Sequence, residues 1–395
     1  MIDHSPYPVS GGWQPGDEPG HRRFLTVAAD RPFALDHGGR LSDLTVAYET
    51  WGELDADASN ALLVCHAWTG DSHLAGPAGR GHPTPGWWEG VVGPGLSIDT
   101  QRYYVVCANV LGGCQGSTGP ASADPATGRA YGPAFPVITI RDMVRLQARL
   151  ADHLGVERWL SVLGGSMGGM QVLEWGITYP DRVRSLVPIA TCAQATAQQI
   201  AWGAIGRRSI RLDPRWRGGD YYDAEPGDGP HEGLAIARMV AQVTFRSDNA
   251  FTDRFGRELA SVDGVGDHDE PGLWQRFEVE RYLDHHGVKL VRRFDANSYL
   301  VIGKAMDLHD IGKGRGGLDA AMARVNVPTL VLGISSDMLY PIYQQREIHQ
   351  LLARHGTPTE LVEIESPHGH DAFLINLDQV AEPIGTFLDE VTKRL

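Results

Sequence analysis

Residues 163–169 read LGGSMGG and contain the pattern Gly-x-Ser-x-Gly around Ser166. The apolar run 159–163 is short enough for a buried strand, and residues 170–175 predict a helix that ends before Pro180. A strand, a tight turn and a helix form the setting of a nucleophile elbow, because glycines on both sides permit the strained turn. We therefore predict that Ser166 is a nucleophile. An ordinary turn serine is the alternative, since glycine and serine are common.

Strands and helices alternate on both sides of this stretch, which favours a mostly parallel sheet with helices on both faces. Past residue 192 the apolar residues instead recur at helical spacing as far as residue 310. We predict an α/β core at 1–191 and 318–395, interrupted by a helical lid insertion at 192–317. The predicted strands are 23–27, 44–48, 61–65, 103–107, 159–163, 183–190, 327–334 and 360–364. The predicted helices are 140–154, 195–209, 233–245, 249–259, 274–285, 296–308, 341–354 and 379–393, with loops at 213–219 and 263–267.

Composition narrows the class of protein. The 395 residues are 42% hydrophobic and 21% charged, as in ordinary globular proteins. The formal net charge of −14 disfavours nucleic acid and anionic membranes as partners, so an anionic substrate would need a local basic pocket. No run of about 18 apolar residues and no signal-like amino terminus occurs, which predicts a cytoplasmic protein. The four cysteines lack metal-ligand spacing and are predicted to be buried thiols.

Two later loops contain the partners that a serine nucleophile needs. Asp337 follows the strand that ends at residue 334, and His368 and His370 follow the strand that ends at residue 364. The order Ser, Asp, His, each after a strand, is typical of folds with a nucleophile elbow. Spacing alone leaves the choice between the two histidines open. Asp337 could instead cap the next helix, and the histidines with Asp371 could bind a metal, but no further cluster supplies ligands and we predict no metal.

Acyl transfer also needs N–H groups that stabilise an oxyanion. The residue after the nucleophile, Met167, is expected to supply one of them. The second is expected from the loop 65–71, CHAWTGD, which follows an early strand. Within that loop we predict Trp68 as the donor.

Several motifs together carry a family resemblance. The chain from about residue 40 to its end resembles the homoserine O-acetyltransferases. The resemblance implies an α/β-hydrolase fold with a helical lid, a homodimer formed through the lid, acetyl-CoA as co-substrate and no bound cofactor. The motifs are CHAWTGDSH at 65–73, NVLGGCQGSTGP at 109–120, FPVITIRD at 135–142, GGSMGGMQ at 164–171, HDIG at 309–312 and GHDAFL at 369–374.

The resemblance also implies residue roles. Ser166 would take the acetyl group, with His370 as base and Asp337 as its orienting partner. It selects His370 because the family's histidine directly precedes the segment Asp-Ala-Phe-Leu. Asp371 and Arg238 would hold the ammonium and carboxylate of L-homoserine, since a zwitterion needs one fixed charge of each sign. From the residues alone, Arg238 would be a solvated lid residue.

The sequence departs from the family pattern at two positions. Trp68 stands where a smaller apolar residue is expected, which would alter the acyl pocket. Phe245 stands where tyrosine is common, so a hydroxyl is absent from the amino-acid site. The glycine-rich segment 309–317 lacks the spacing of a phosphate loop and is interpreted as a hinge, with Lys313 and Arg315 as contacts to the CoA phosphates.

The reaction implied is a two-step acetyl transfer that gives O-acetyl-L-homoserine for methionine biosynthesis. Several alternatives stay open at this point. The donor could be succinyl-CoA, and the acceptor could be serine. A hydrolase such as an esterase would have the same triad, and a non-catalytic binding protein could have the same fold.

Overall fold

The computed structural model describes residues 6–29, 31–260 and 273–394. An eight-stranded sheet lies at its centre. Its strands, numbered along the chain, are β1 Arg23–Val27, β2 Leu44–Trp51, β3 Ala61–Cys65, β4 Tyr104–Ala108, β5 Ser161–Gly165, β6 Leu186–Ile189, β7 Thr329–Ile334 and β8 Thr359–Ile364. Their order in the sheet is β1-β2-β4-β3-β5-β6-β7-β8. Strand β2 is antiparallel to β1 and β4, and the other neighbouring pairs are parallel, as predicted.

The strand before Ser166 lies two residues later than predicted, at Ser161–Gly165 instead of 159–163. Its two glycines do not end the strand, because Gly164 is paired with Cys65 on one side and with Pro188 on the other. A central strand held from both sides overrides the weak strand preference of glycine. Ser166 therefore stands directly at the carboxyl end of β5.

Helices cover both faces of the sheet. Helix α1 begins with a capping box between Thr139 and Asp142 and ends at Gly155, whose φ of +74° suits glycine. Alternate residues of a strand point to opposite faces, so Leu63 joins the core under α1 and α2, whereas Leu62 joins the core under α11. The helices are α1 Ile140–Leu154, α2 Met167–Thr178, α3 Ala197–Leu212, α4 His231–Phe245, α5 Asp248–Phe255, α6 Glu278–Val291, α7 Ala296–Asp307, α8 Leu318–Met322, α9 Ile342–Arg354, α10 Ala372–Ile375 and α11 Leu377–Thr392.

Between β6 and α8 the described residues add helices α3 to α7 and no strand of the main sheet. These helices correspond to the five predicted there, and α4 packs against both α3 and α6. The ends of the segment meet, because Gln194 forms a bridge with Asp310 and the backbone of Ala195 donates to His309. The predicted loop at 263–267 lies outside the described residues. In the described part of the chain, every helix is too short or too polar to cross a membrane.

Candidate active site

The turn after β5 has the backbone strain of a nucleophile elbow. Ser166 has φ 59° and ψ −121°, a conformation that non-glycine residues rarely adopt. The flanking glycines permit a very close approach, since an added Cβ would lie 2.7 Å from the Cys65 carbonyl oxygen at Gly164 and 2.1 Å at Gly168. The elbow and the loop after β3 are therefore in direct contact. Larger residues at these glycines would force them apart.

His370 and Asp337 form a buried pair beside the elbow. His370 Nδ1 lies 2.6 Å from Asp337 Oδ2, and the side chains are nearly excluded from solvent. The other carboxylate oxygen of Asp337 accepts the backbone N–H groups of Leu339 and Tyr340, each at 2.8 Å. No hydrogen bond or ion pair among the described residues joins the His368 side chain to Asp337. Of the two histidines left open by spacing, His370 is the one that contacts the carboxylate.

The electrostatics of this pair favour a basic imidazole. Burial by itself lowers the pKa of His370, but the charge and the hydrogen bond of Asp337 outweigh burial and raise that pKa above its usual value of 6.5. With Nδ1 facing the carboxylate, Nε2 is left for proton exchange. The ring of His370 lies 5.9 Å from the ring of Phe245 and 5.2 Å from that of Tyr340. Both aromatic residues line the cavity that contains Ser166, so His370 borders the same space.

The expected oxyanion donors lie on the two segments that meet at the elbow. Met167 is the first residue of α2, and the first N–H groups of a helix have no partner within the helix. The backbone N–H of Trp68 donates to none of the residues that the structure describes. Both N–H groups are therefore available to a ligand.

Two side chains hold the loop that contains Trp68. His66 is buried, with Nδ1 2.9 Å from the Ala67 carbonyl oxygen, and its Nε2 accepts the N–H of Val110 at 3.2 Å. Arg293 donates to both the carbonyl oxygen and the hydroxyl of Thr69, at 2.8 and 3.1 Å. The loop is thus fixed from the core and from the helical segment.

Charged groups lie beside the His370 loop. Asp371 Oδ2 lies 3.4 Å from the Arg246 guanidinium, and both side chains are mostly buried. Burial raises the pKa of Asp371, an effect that the charges of Arg246 and Arg238 partly offset. Arg238 makes no hydrogen bond or ion pair with the described residues, and its guanidinium lies over the ring of Phe245 at 5.2 Å. The Arg238 cation is consequently free to bind an anion next to the carboxylate of Asp371.

The cavity around Ser166 is mostly apolar. Trp68, the departure from the family pattern, packs on Tyr299 with ring centroids 4.2 Å apart and lies against Gly303. Asp307, which pairs with Arg207, is the charged side chain among its described lining residues. The lining comprises Trp68, Ser166, Ala195, Gln199, Trp202, Gly203, Ala237, Val240, Ala241, Thr244, Phe245, Tyr299, Gly303, Met306, Asp307, Leu339 and Tyr340.

The prediction that Arg315 contacts CoA phosphates is wrong. Its guanidinium donates to both carboxylate oxygens of Glu174 at 2.9 and 2.8 Å, and the side chain is 9% exposed. Glu174 lies two turns along α2 from the elbow, so this pair fastens the return segment to the core. Lys313 lies on the same side of the protein, with Nζ 3.1 Å from His37 Nε2.

Glu49, His73 and His82 form a buried cluster whose ligand atoms lie close together. The two imidazoles are stacked, with centroids 3.7 Å apart and planes 8° from parallel. A metal ion binds in the plane of an imidazole ring, so one ion cannot lie in both planes. His82 Nε2 also accepts the backbone N–H of His21. In this arrangement the cluster joins the amino-terminal segment to the core. The four cysteines are buried free thiols, as predicted.

Sequence reasoning missed three residues at the site: Arg246, Arg293 and Tyr340. Tyr340 closes the turn that contains Asp337 and lines the same cavity as Ser166. Arg246 directly follows Phe245, which the family pattern had already singled out, so its position was a usable signal. Arg293 contacts a residue 224 positions away and carries no local signal.

Comparisons with known proteins identify the family and the fold of the chain. The alpha/beta hydrolase fold family matches residues 60–377. Homoserine O-acetyltransferase from Thermobifida fusca (strain YX) is 53% identical over 378 residues, which cover 95% of this chain and 96% of that protein. The crystal structure of homoserine O-acetyltransferase from Bacillus anthracis superposes with a TM-score of 0.84 at 28% identity, covering 93% of this chain and 97% of that one. The crystal structure of esterase E22 gives a TM-score of 0.83 at 29% identity, with coverages of 93% and 99%.

Proposed function

The chain belongs to the homoserine O-acetyltransferase family of the α/β-hydrolase fold, and on this basis we propose that it transfers an acetyl group from acetyl-CoA to the hydroxyl of L-homoserine. The product is O-acetyl-L-homoserine, an intermediate for methionine biosynthesis. One observation carries the proposal: Arg238, whose guanidinium has no hydrogen bond or ion pair with the described residues, interacts electrostatically with Asp371, which directly follows His370. A hydrolase that uses water as acceptor needs no such pair of opposite charges.

In the first half-reaction His370 Nε2 takes the proton of Ser166, and the serine oxygen attacks the thioester carbonyl carbon. The oxyanion that forms accepts hydrogen bonds from the N–H groups of Met167 and Trp68. The C–S bond then breaks, and CoA leaves with the proton from His370. Asp337 stabilises the imidazolium that exists between these two proton transfers.

In the second half-reaction the hydroxyl of homoserine gives its proton to His370 and attacks the acetyl-serine ester. The same N–H groups stabilise the second oxyanion, and Ser166 leaves with the proton from His370. Arg238 binds the carboxylate of homoserine and Asp371 binds its ammonium, which directs the side-chain hydroxyl to the ester. The ion pair with Arg246 partly neutralises the carboxylate of Asp371 and orients it.

Transfer competes with hydrolysis, so water must be kept from the acetyl-enzyme. We propose that the helical insertion acts as a lid, since α4 and α7 supply much of the cavity lining around Ser166. We also propose a cytoplasmic homodimer formed through this lid. Exposed apolar residues seven positions apart share a helix face, namely Ile205 and Leu212 on α3 and Ile236 and Val243 on α4.

The apolar cavity predicts the donor. A succinyl group would place a carboxylate in a space whose described lining has no cation and contains Asp307. An unpaired buried carboxylate costs several kcal/mol, so we expect kcat/KM for succinyl-CoA to be at least about 100-fold below that for acetyl-CoA. The rate of CoA release at saturating homoserine measures kcat/KM for each of the two donors. Propionyl-CoA is the control, because its acyl group is larger than acetyl but uncharged. Its kcat/KM should fall less than that of succinyl-CoA. Equal use of succinyl-CoA would refute the acetyl assignment.

Replacing Arg238 by alanine tests acceptor binding. Loss of one charge-assisted pair to the homoserine carboxylate should raise KM for homoserine by about 50- to 100-fold, while acylation by acetyl-CoA changes by less than about threefold. Steady-state kinetics gives the first value and rapid-quench CoA release gives the second. Arg149→Ala is the matched control, since Arg149 lies exposed on α1, away from the proposed lid and dimer face, without an ion pair among the described residues.

The similarity to esterase E22 makes a hydrolase the second candidate function. The triad serves either acceptor, so it does not separate the two reactions. An Arg238→Ala variant with an unchanged response to homoserine would favour hydrolysis. A raised KM for homoserine alone would favour transfer.

A further inference from the structure

A second cavity, which we call the vestibule, adjoins the cavity of Ser166. Trp68 lines the Ser166 cavity, whereas Gly70 and Asp71, just beyond it in the same loop, line the vestibule. On α4, Ala237 lines the Ser166 cavity and the adjacent Arg238 lines the vestibule. The vestibule lies between helix α6 and the core loops that follow β3. A ligand long enough to span both cavities would place one end in the vestibule and the other at the serine.

The vestibule concentrates positive charge in an acidic protein. Arg238, Lys289 and Arg293 all line it, and Asp71 is the acidic side chain among its described lining residues. Its fixed charges thus sum to about +2, whereas the whole chain carries a formal charge of −14. This is the local basic pocket that the net charge demands of an enzyme with an anionic substrate.

These cations have unused hydrogen-bonding capacity. The ammonium of Lys289, like the guanidinium of Arg238, makes no hydrogen bond or ion pair within the described part of the chain. Arg293 uses two N–H groups on Thr69 and keeps others for a ligand. Partial desolvation in the vestibule and the charges of Arg293 and Arg238 lower the pKa of Lys289, although its side chain still reaches solvent; the arginine effect indicates mutual repulsion that a bound anion would relieve.

The number of cations identifies the ligand class. The carboxylate of homoserine accounts for one cation, Arg238. Two further cations, Lys289 and Arg293, remain in the vestibule. A phosphate group carries more than one negative charge near neutral pH and accepts several hydrogen bonds. Building on the proposed use of acetyl-CoA, we propose that Lys289 and Arg293 bind the phosphate groups of the acyl-CoA donor. The phosphates are then held in the vestibule while the thioester reaches Ser166.

The test uses Lys289→Gln with two donors, acetyl-CoA and S-acetylpantetheine, which has the same thioester and arm but lacks the nucleotide phosphates. Lys289 is exposed on α6, so its replacement leaves the fold intact. We expect KM for acetyl-CoA to rise about 5- to 20-fold, and KM for S-acetylpantetheine to change less than twofold. Raising the salt concentration should weaken acetyl-CoA binding less in the variant than in the wild type. Lys304→Gln, an exposed lysine of α7 outside both cavities, should behave as wild type.

Three results would overturn the proposal: an equal change for both donors, a change confined to KM for homoserine, or no change with either donor. Failure of the proposed function looks different. In that case wild-type protein releases no extra CoA when homoserine is added, whichever donor is supplied.

Discussion

The Ser166→Ala variant is expected to lose homoserine-dependent CoA release, with kcat at least about 10⁴-fold below that of the wild type. Without the hydroxyl, no covalent acetyl intermediate can form, and the remaining groups can only orient the two substrates. Steady-state assays with acetyl-CoA and homoserine measure the loss. Intact-protein mass spectrometry should detect an acetyl adduct on wild type mixed with acetyl-CoA and none on the variant.

A matched serine controls for non-specific damage. Ser161 lies on the same strand, and its buried hydroxyl has no hydrogen-bond partner among the described residues. Ser161→Ala should therefore keep wild-type activity and thermal stability. Activity of Ser166→Ala above about 1% of wild type would contradict a covalent mechanism at this residue.

The Asp337→Asn variant is expected to lower kcat by about 10³- to 10⁴-fold. An amide cannot balance the positive charge that His370 acquires during each proton transfer, and its N–H groups favour the wrong imidazole tautomer. Tyr340 and Leu339 donate to the same side-chain oxygen in the wild type, and asparagine can keep one oxygen there. Circular dichroism should therefore show an intact fold.

The pH dependence of the surviving activity separates an electrostatic role of Asp337 from a merely structural one. His370 must be neutral to accept a proton, so kcat/KM falls as pH falls through its pKa. Asp337 raises that pKa, which places the acidic limb of the wild type above about pH 6.5. In Asp337→Asn the limb should move to lower pH, because the charge is gone while the burial remains. An unchanged limb would mean that Asp337 does not govern the base.

Local patterns were sufficient to predict most of the fold. Thr139, Asp142 and Gly155 bound α1 where capping rules place them. The elbow strand was placed two residues early, because Gly164 and Gly165 have weak strand preference and only the pairing with β3 and β6 keeps them in the sheet. The strand propensities of single residues do not reveal tertiary pairing of this kind.

The sequence predicts those residues of the candidate site that follow the end of a strand or match a motif. Ser166, Asp337 and His370 do so, and the structure brings the latter two into contact. Arg293 does not, because its role depends on meeting Thr69 across the fold. The role of Arg315 was predicted wrongly for the same reason. A basic residue in a glycine-rich loop suggested phosphate binding, but its partner Glu174 is distant in sequence and meets it only in the fold.

The central claim is that acetyl-Ser166 passes its acetyl group to homoserine faster than to water. Rapid mixing of wild-type protein with acetyl-CoA, with and without L-homoserine, tests it most directly. We predict that acetyl-CoA alone releases a burst of CoA close to one equivalent of active sites, followed by slow turnover, and that homoserine accelerates the slow phase. Equal steady rates of CoA release with and without homoserine would contradict it.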